Sequence, residues 1–160
     1  MPAFGGPVIS HVYQQSPTVY IVTVTQFAGT DLIVPLQAAN GFGWSLMDGG
    51  SIASPGTLIA ATACVYVGAT QVRVTFASAP THAAASLLLF YPYGGMNLGA
   101  SGGATAIGRG LPGSTNAVTD NASALTPPAG WDIGNQLGSS WSMNLPLAAT
   151  TYGVAVSTTS

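Results

Sequence analysis

The chain contains no lysine and no glutamate. Its formal charges are Asp31, Asp48, Asp120, Asp132, Arg73 and Arg109. Charged residues make up 4% of the 160 positions, against about 25% in ordinary soluble domains. This scarcity argues against a nucleic-acid partner. Displacing counterions from a phosphate backbone takes several cations, and two scattered arginines do not supply them. The exterior is left to Ser, Thr, Asn, Gln, Gly and Ala, and a surface so weakly charged tends to associate. The favoured reading is a surface covered by copies of the chain or by a larger particle. The alternative is a monomer with a Thr- and Ser-rich exterior.

Other absences narrow the chemistry. Cys64 is the single cysteine, so no internal disulfide forms, and its apolar neighbours Ala63, Val65 and Val67 mark it as a small buried hydrophobe. The longest apolar run, Leu87 to Tyr91, is far short of the roughly 20 residues a membrane span needs. Residues 1–7 have neither a basic region nor an apolar core, so no signal peptide is expected. Without glutamate, an acid–base pair would need two aspartates. Asp120 and Asp132 are the nearest such pair in sequence, and each is as easily explained as a turn cap. His11, His82, Cys64 and the aspartates show no metal-ligand spacing. The glycine-rich stretch 99–110 lacks the Gly-Lys-Ser/Thr of a phosphate loop. Gly99-Ala100-Ser101-Gly102-Gly103 matches G-x-S-x-G, but both histidines precede it, the wrong chain order for that hydrolase fold. The expectation is therefore no catalytic residue, no metal and no cofactor.

What is present is strand. Gln71–Phe76 alternates Val72, Val74 and Phe76 with Gln71, Arg73 and Thr75, the period of a half-buried strand. Ser86–Tyr91 is apolar on both faces, as in a covered central strand, and Pro92 ends it. Val8–Tyr13, Thr18–Gln26, Leu32–Val34, a short segment around Phe42, Trp44 and Leu46, and Leu58–Val67 are further candidates. Leu58–Val67 is alanine-rich enough to allow a short helix instead. Asp48-Gly49 reads as a turn able to supply positive φ. Trp141–Leu147 and Thr150–Ser157 are late strand candidates, and Asn116–Asn121 carries Asx-turn chemistry. Many short strands separated by turns give an all-β antiparallel sandwich, jelly-roll or Ig-like. Residues 1–7 form an N-terminal arm, 8–95 the sandwich core, and 96–160 a Gly/Pro-rich extension packed on the same domain or a neighbour.

Candidate binding residues are few. Trp131 and Trp141, with Tyr91, Tyr93 and Asp132, can stack on sugar rings and hydrogen-bond hydroxyls; the competing reading makes the tryptophans core or interface anchors. For Trp44 the core reading is preferred, since Phe42 and Leu46 share its face. Arg73 and Arg109 are read as structural clamps, with Asp31 or Asp48 as the acid for Arg73.

Gly41-Phe42-Gly43-Trp44, Asp48-Gly49-Gly50, Gln71–Phe76 and Leu89–Gly94 together resemble the β-sandwich that accompanies sialate O-acetylesterase-like (SGNH-type) hydrolase domains in phage tail and spike proteins. Gly108-Arg109-Gly110, Val118–Asn121 and Trp131-Asp132 are similar to the closing region of such chains, so the resemblance spans residues 8–135. The chain has no Gly-Asp-Ser and no Asp-x-x-His, so no esterase residue carries over. The resemblance implies an accessory module at a virion surface, contacting copies of itself, other virion proteins or a host cell-surface polysaccharide.

Overall fold

A computed structural model describes residues 6–27, 29–34, 44–51, 53–91, 118–121, 147–148, 150 and 152–160. The fold is all-β and sandwich-like, and its main sheet nearly closes into a barrel. Nine strands appear among the described residues: β1 (Val8–Ser16), β2 (Val19–Thr25), β3 (Leu32–Ile33), β4 (Ser45–Gly50), β5 (Pro55–Gly68), β6 (Gln71–Phe76), β7 (Leu87–Phe90), β8 (Thr119–Asp120) and β9 (Val154–Ala155). Seven form one sheet in the order β1-β2-β6-β5-β4-β7-β9, with every pair antiparallel. A parallel bridge between Tyr13 and Ser157 brings the two ends together. Gln14 N–H donates to the Ser157 carbonyl at 2.9 Å, and Ser157 N–H donates to the Val12 carbonyl at 2.8 Å. β3 and β8 form a separate two-stranded sheet.

The long strand β5 joins the two halves of the main sheet. Its first part pairs with β4, from Pro55 to Ala60, and its second part pairs with β6, from Ala61 to Gly68. The register slips between Ala61 and Ala63. Side chains alternate faces along a strand, so one extra residue reverses which parity points inward. Ile59 and Ala61 are buried before the slip, and Cys64 after it. The alanines that left a helix open in the sequence are instead small residues around this bend.

The core follows from the alternation. Tyr20, Val22 and Val24 of β2 face inward beside Val72, Val74 and Phe76 of β6, in a register that pairs Tyr20 with Val74 and Val22 with Val72. Tyr20 and Phe76 meet edge to face, with centroids 5.2 Å apart. From the other half come Trp44, Leu46, Leu87, Leu89 and Tyr91. Each such side chain contributes about 1.5–3 kcal/mol when fully buried. β7 lies between β4 and β9 and is covered as the sequence implied, with Leu87 and Leu89 buried and Leu88 and Phe90 half-buried. On its outer side the chain returns at Gly153, where φ is +73° and an added Cβ would lie 2.8 Å from the Phe90 ring.

Several expectations change. Asp48-Gly49 is not a turn but lies within β4, and the reversal is made by Ser51–Ser54, whose ends exchange hydrogen bonds of 2.9 and 3.1 Å. The positive φ expected at Gly49 is present, at +72°. It serves a bend in the strand, where Gly50 and Gly56 pack backbone on backbone. Strand β4 begins at Ser45, after Trp44, and Phe42 lies outside the described residues. Within 116–121, Thr119–Asp120 form strand β8 rather than a local turn, and the Asn121 side chain reaches Thr30 and Asp31, just before β3. Among the described residues no helix is long and apolar enough to cross a membrane.

The burial predicts that Leu89→Ala, which removes a fully buried side chain from a central strand, lowers unfolding free energy by about 2–5 kcal/mol. Urea denaturation measures it, with Arg73→Gln as an exposed control expected to stay within about 0.5 kcal/mol.

Candidate functional site

Asp48 is the centre of the densest polar cluster described. It sits in β4, paired with Thr57 of β5 and Leu87 of β7, and is 5% exposed. A carboxylate this enclosed needs donors. They come from the β6–β7 loop, where Pro80 precedes Thr81 and His82. Thr81 N–H donates to Oδ2 at 2.7 Å and the Thr81 hydroxyl donates to the same oxygen at 2.8 Å. His82 N–H and His82 Nδ1 both reach Oδ1 at 2.9 Å. Hydrogen bonds from the Thr81 backbone, opposed by burial and reinforced by His82, hold the Asp48 carboxyl well below the usual carboxylate range. The His82 ring lies over Gly49, where a Cβ would come within 2.8 Å of it. With φ at +72° as well, any side chain at this position is strained.

The geometry defines what this cluster does chemically. An ionised carboxylate only accepts, so Nδ1 carries the proton shared with Asp48. His82 is 56% exposed. Thr81 and His82 both donate to one carboxylate, and the Thr81 hydroxyl oxygen also lies 3.2 Å from the same His82 Nδ1. The arrangement is a clamp that fixes the loop 77–83 to the end of the sandwich. Asp48 and His82 lie 34 positions apart, and no local sequence pattern joins them. The one available signal was an aspartate inside a strand, which demands partners.

The other sequence candidates fall into place around it. Trp44 is fully buried and packs on Tyr91, with ring centroids 4.5 Å apart. Tyr91 is 1% exposed and its hydroxyl accepts from Val118 N–H at 3.0 Å. It therefore leaves the glycan-binding set, since no sugar reaches a ring sealed against Trp44. The Trp44 indole N–H finds no oxygen or nitrogen acceptor, and its polar neighbour is the Cys64 thiol. Burial pushes that thiol up to about 12. Tyr93, Arg109, Trp131, Asp132 and Trp141, and with them Ser101, lie outside the described residues.

Arg73 does not make the salt bridge expected of it. Among the described residues the ion pair is His82–Asp48. Asp31 accepts the Tyr66 hydroxyl at 2.9 Å and Leu32 N–H at 2.8 Å. Asn121 completes that corner by accepting Thr30 N–H at 2.8 Å and Asp31 N–H at 3.1 Å. Arg73 stands exposed on the outward face of β6, because Val72 and Val74 take the inward one. No group of three metal-ligating side chains occurs among the described residues. Comparison with protein-family models, curated proteins and solved structures finds no match.

Two outcomes follow. Asp48 is more acidic folded than unfolded, so its stabilisation is complete above its ordinary value of 3.8 and is lost as pH falls below it. Denaturation from pH 7 to pH 2 should show that loss, and Asp48→Asn should flatten the acid limb while lowering stability at neutral pH. Cys64 should resist a thiol reagent in the native protein and react fully once urea unfolds it.

Proposed function

We propose that the chain is a non-enzymatic structural component of the surface of a bacteriophage or phage-like particle, a decoration, fibre or spike protein that assembles through a nearly uncharged exterior. The observation that carries this reading is where the few charges lie. Asp48 and Asp120 are 5% and 0% exposed, and Asp31 is half-buried in the Asn121 corner. Among the described residues the exterior thus displays little side-chain charge beyond Arg73. In its place stand apolar side chains, among them Tyr152 at 74%, Phe27 at 51% and Val67 at 47% exposed. Such surface favours association over solvation. The resemblance to accessory sandwiches of phage tail and spike proteins favours a virion over other assemblies. The clamp at Asp48 suits the role, since it ties the β6–β7 loop to the sheet.

A second reading, a carbohydrate-binding module that attaches a particle or enzyme to a cell-surface glycan, draws on the outward sheet face around Arg73.

Light scattering across a concentration series tests the first reading. The expected result is a dimer or trimer at micromolar concentration, unchanged by added sugars. A monomer at every concentration sinks it.

A further inference from the structure

The outward face of β1, β2, β6 and β5 is laid out by its register. Tyr13 pairs with Ile21, Ile21 with Arg73, and Arg73 with Val65, so these four side chains form one row across four strands. In the adjacent row Thr23 pairs with Gln71, and the Gln71 amide donates to the Thr23 hydroxyl at 3.1 Å. Arg73 is exposed in the middle of this face and makes no ion pair among the described residues. The described acids are engaged elsewhere: Asp48 by the loop, Asp31 by Tyr66, and Asp120 inside the fold.

An exposed guanidinium is a planar fork of donors shaped for a carboxylate. Its position decides between occupants. A second copy stacked here about a two-fold axis would bring two arginines into a drying contact with no acid on either side, which is costly. A partner that carries carboxylates relieves that cost. The size of the face decides further. Four strands about 4.8 Å apart, over about five residues of 3.3 Å rise, cover on the order of 300 Å². A stable protein complex uses about 800 Å² on each side. A few sugar rings need far less.

We propose that this face binds a carboxylate-bearing polysaccharide. Arg73 grips the carboxylate through paired hydrogen bonds. Gln71 and Thr23 meet ring hydroxyls, and Tyr13 offers an aromatic surface to sugar C–H groups. The proposal deepens the second reading above, on the same outward face, and does not depend on assembly.

Isothermal titration of the full chain tests the proposal, with polygalacturonate as the probe and its methyl ester, dextran and polyaspartate as comparisons. Saturable binding to polygalacturonate, weakening with salt and absent for the ester and dextran, is expected. Arg73→Gln should reduce that binding at least tenfold with an unchanged circular dichroism spectrum and melting temperature. Arg73→Lys should recover only part of it, because an ammonium keeps the charge and loses the fork. Equal binding to the ester or dextran overturns the proposal, as does no binding at millimolar uronate or an unaffected Arg73→Gln variant. Polyaspartate binding as tightly, or a change of molecular mass on Arg73→Gln, overturns it in favour of a protein partner. Mass and titration read different quantities, so the assembly reading and this one fail separately.

Discussion

A strand has two faces, and β5 must serve two halves of a sheet that bend away from each other. The slip between Ala61 and Ala63 is what reconciles them. Without it, either Ile59 or Cys64 would be turned outward, and one half of the core would lose its seam residue. Ala60, Ala61 and Ala63 surround the corner, with Thr62 as the extra residue of the slip. The deep burial of Trp44, whose carbonyl accepts from Ala61 N–H at 2.9 Å, depends on the same corner.

The Asp48 cluster solves a second constraint set by that architecture. β4 is covered on both faces, with Ser45, Leu46, Met47 and Asp48 all buried. A carboxylate there is tolerable only if a nearby segment of chain turns its N–H groups toward it. The β6–β7 loop does so, and in return it is held in one conformation. Rigidity at the loop is thus coupled to ionisation in the sheet.

Much of the fold was legible in the sequence because side-chain alternation is a local property. β2 and β6 were readable from Tyr20-Val22-Val24 and Val72-Val74-Phe76, and β7 from its unbroken Leu-Leu-Leu-Phe. What escaped was set by partners distant in the chain. Asp48-Gly49 has the composition of a turn, and only its pairing with Thr57 and Leu87 makes it strand. Thr119–Asp120 becomes a strand because β3 is beside it. The same holds for sites. Tyr91 looked like a surface aromatic until Trp44, 47 positions earlier, was placed against it, and Arg73 looked paired until its acids were found committed elsewhere.

The seam between Tyr13 and Ser157 has a kinetic meaning. It joins the first long strand to nearly the last described residue, so the closing contact has almost the greatest sequence separation available. Loop-closure entropy must be overcome before such a contact returns any energy, and folds dominated by contacts of this kind form slowly. Until β9 arrives, β1 and β7 each carry an unpaired backbone edge, the form in which β proteins are most open to pairing with another chain. The order in which this ring closes therefore bears on whether the protein matures as a separate unit or while already in contact with its neighbours.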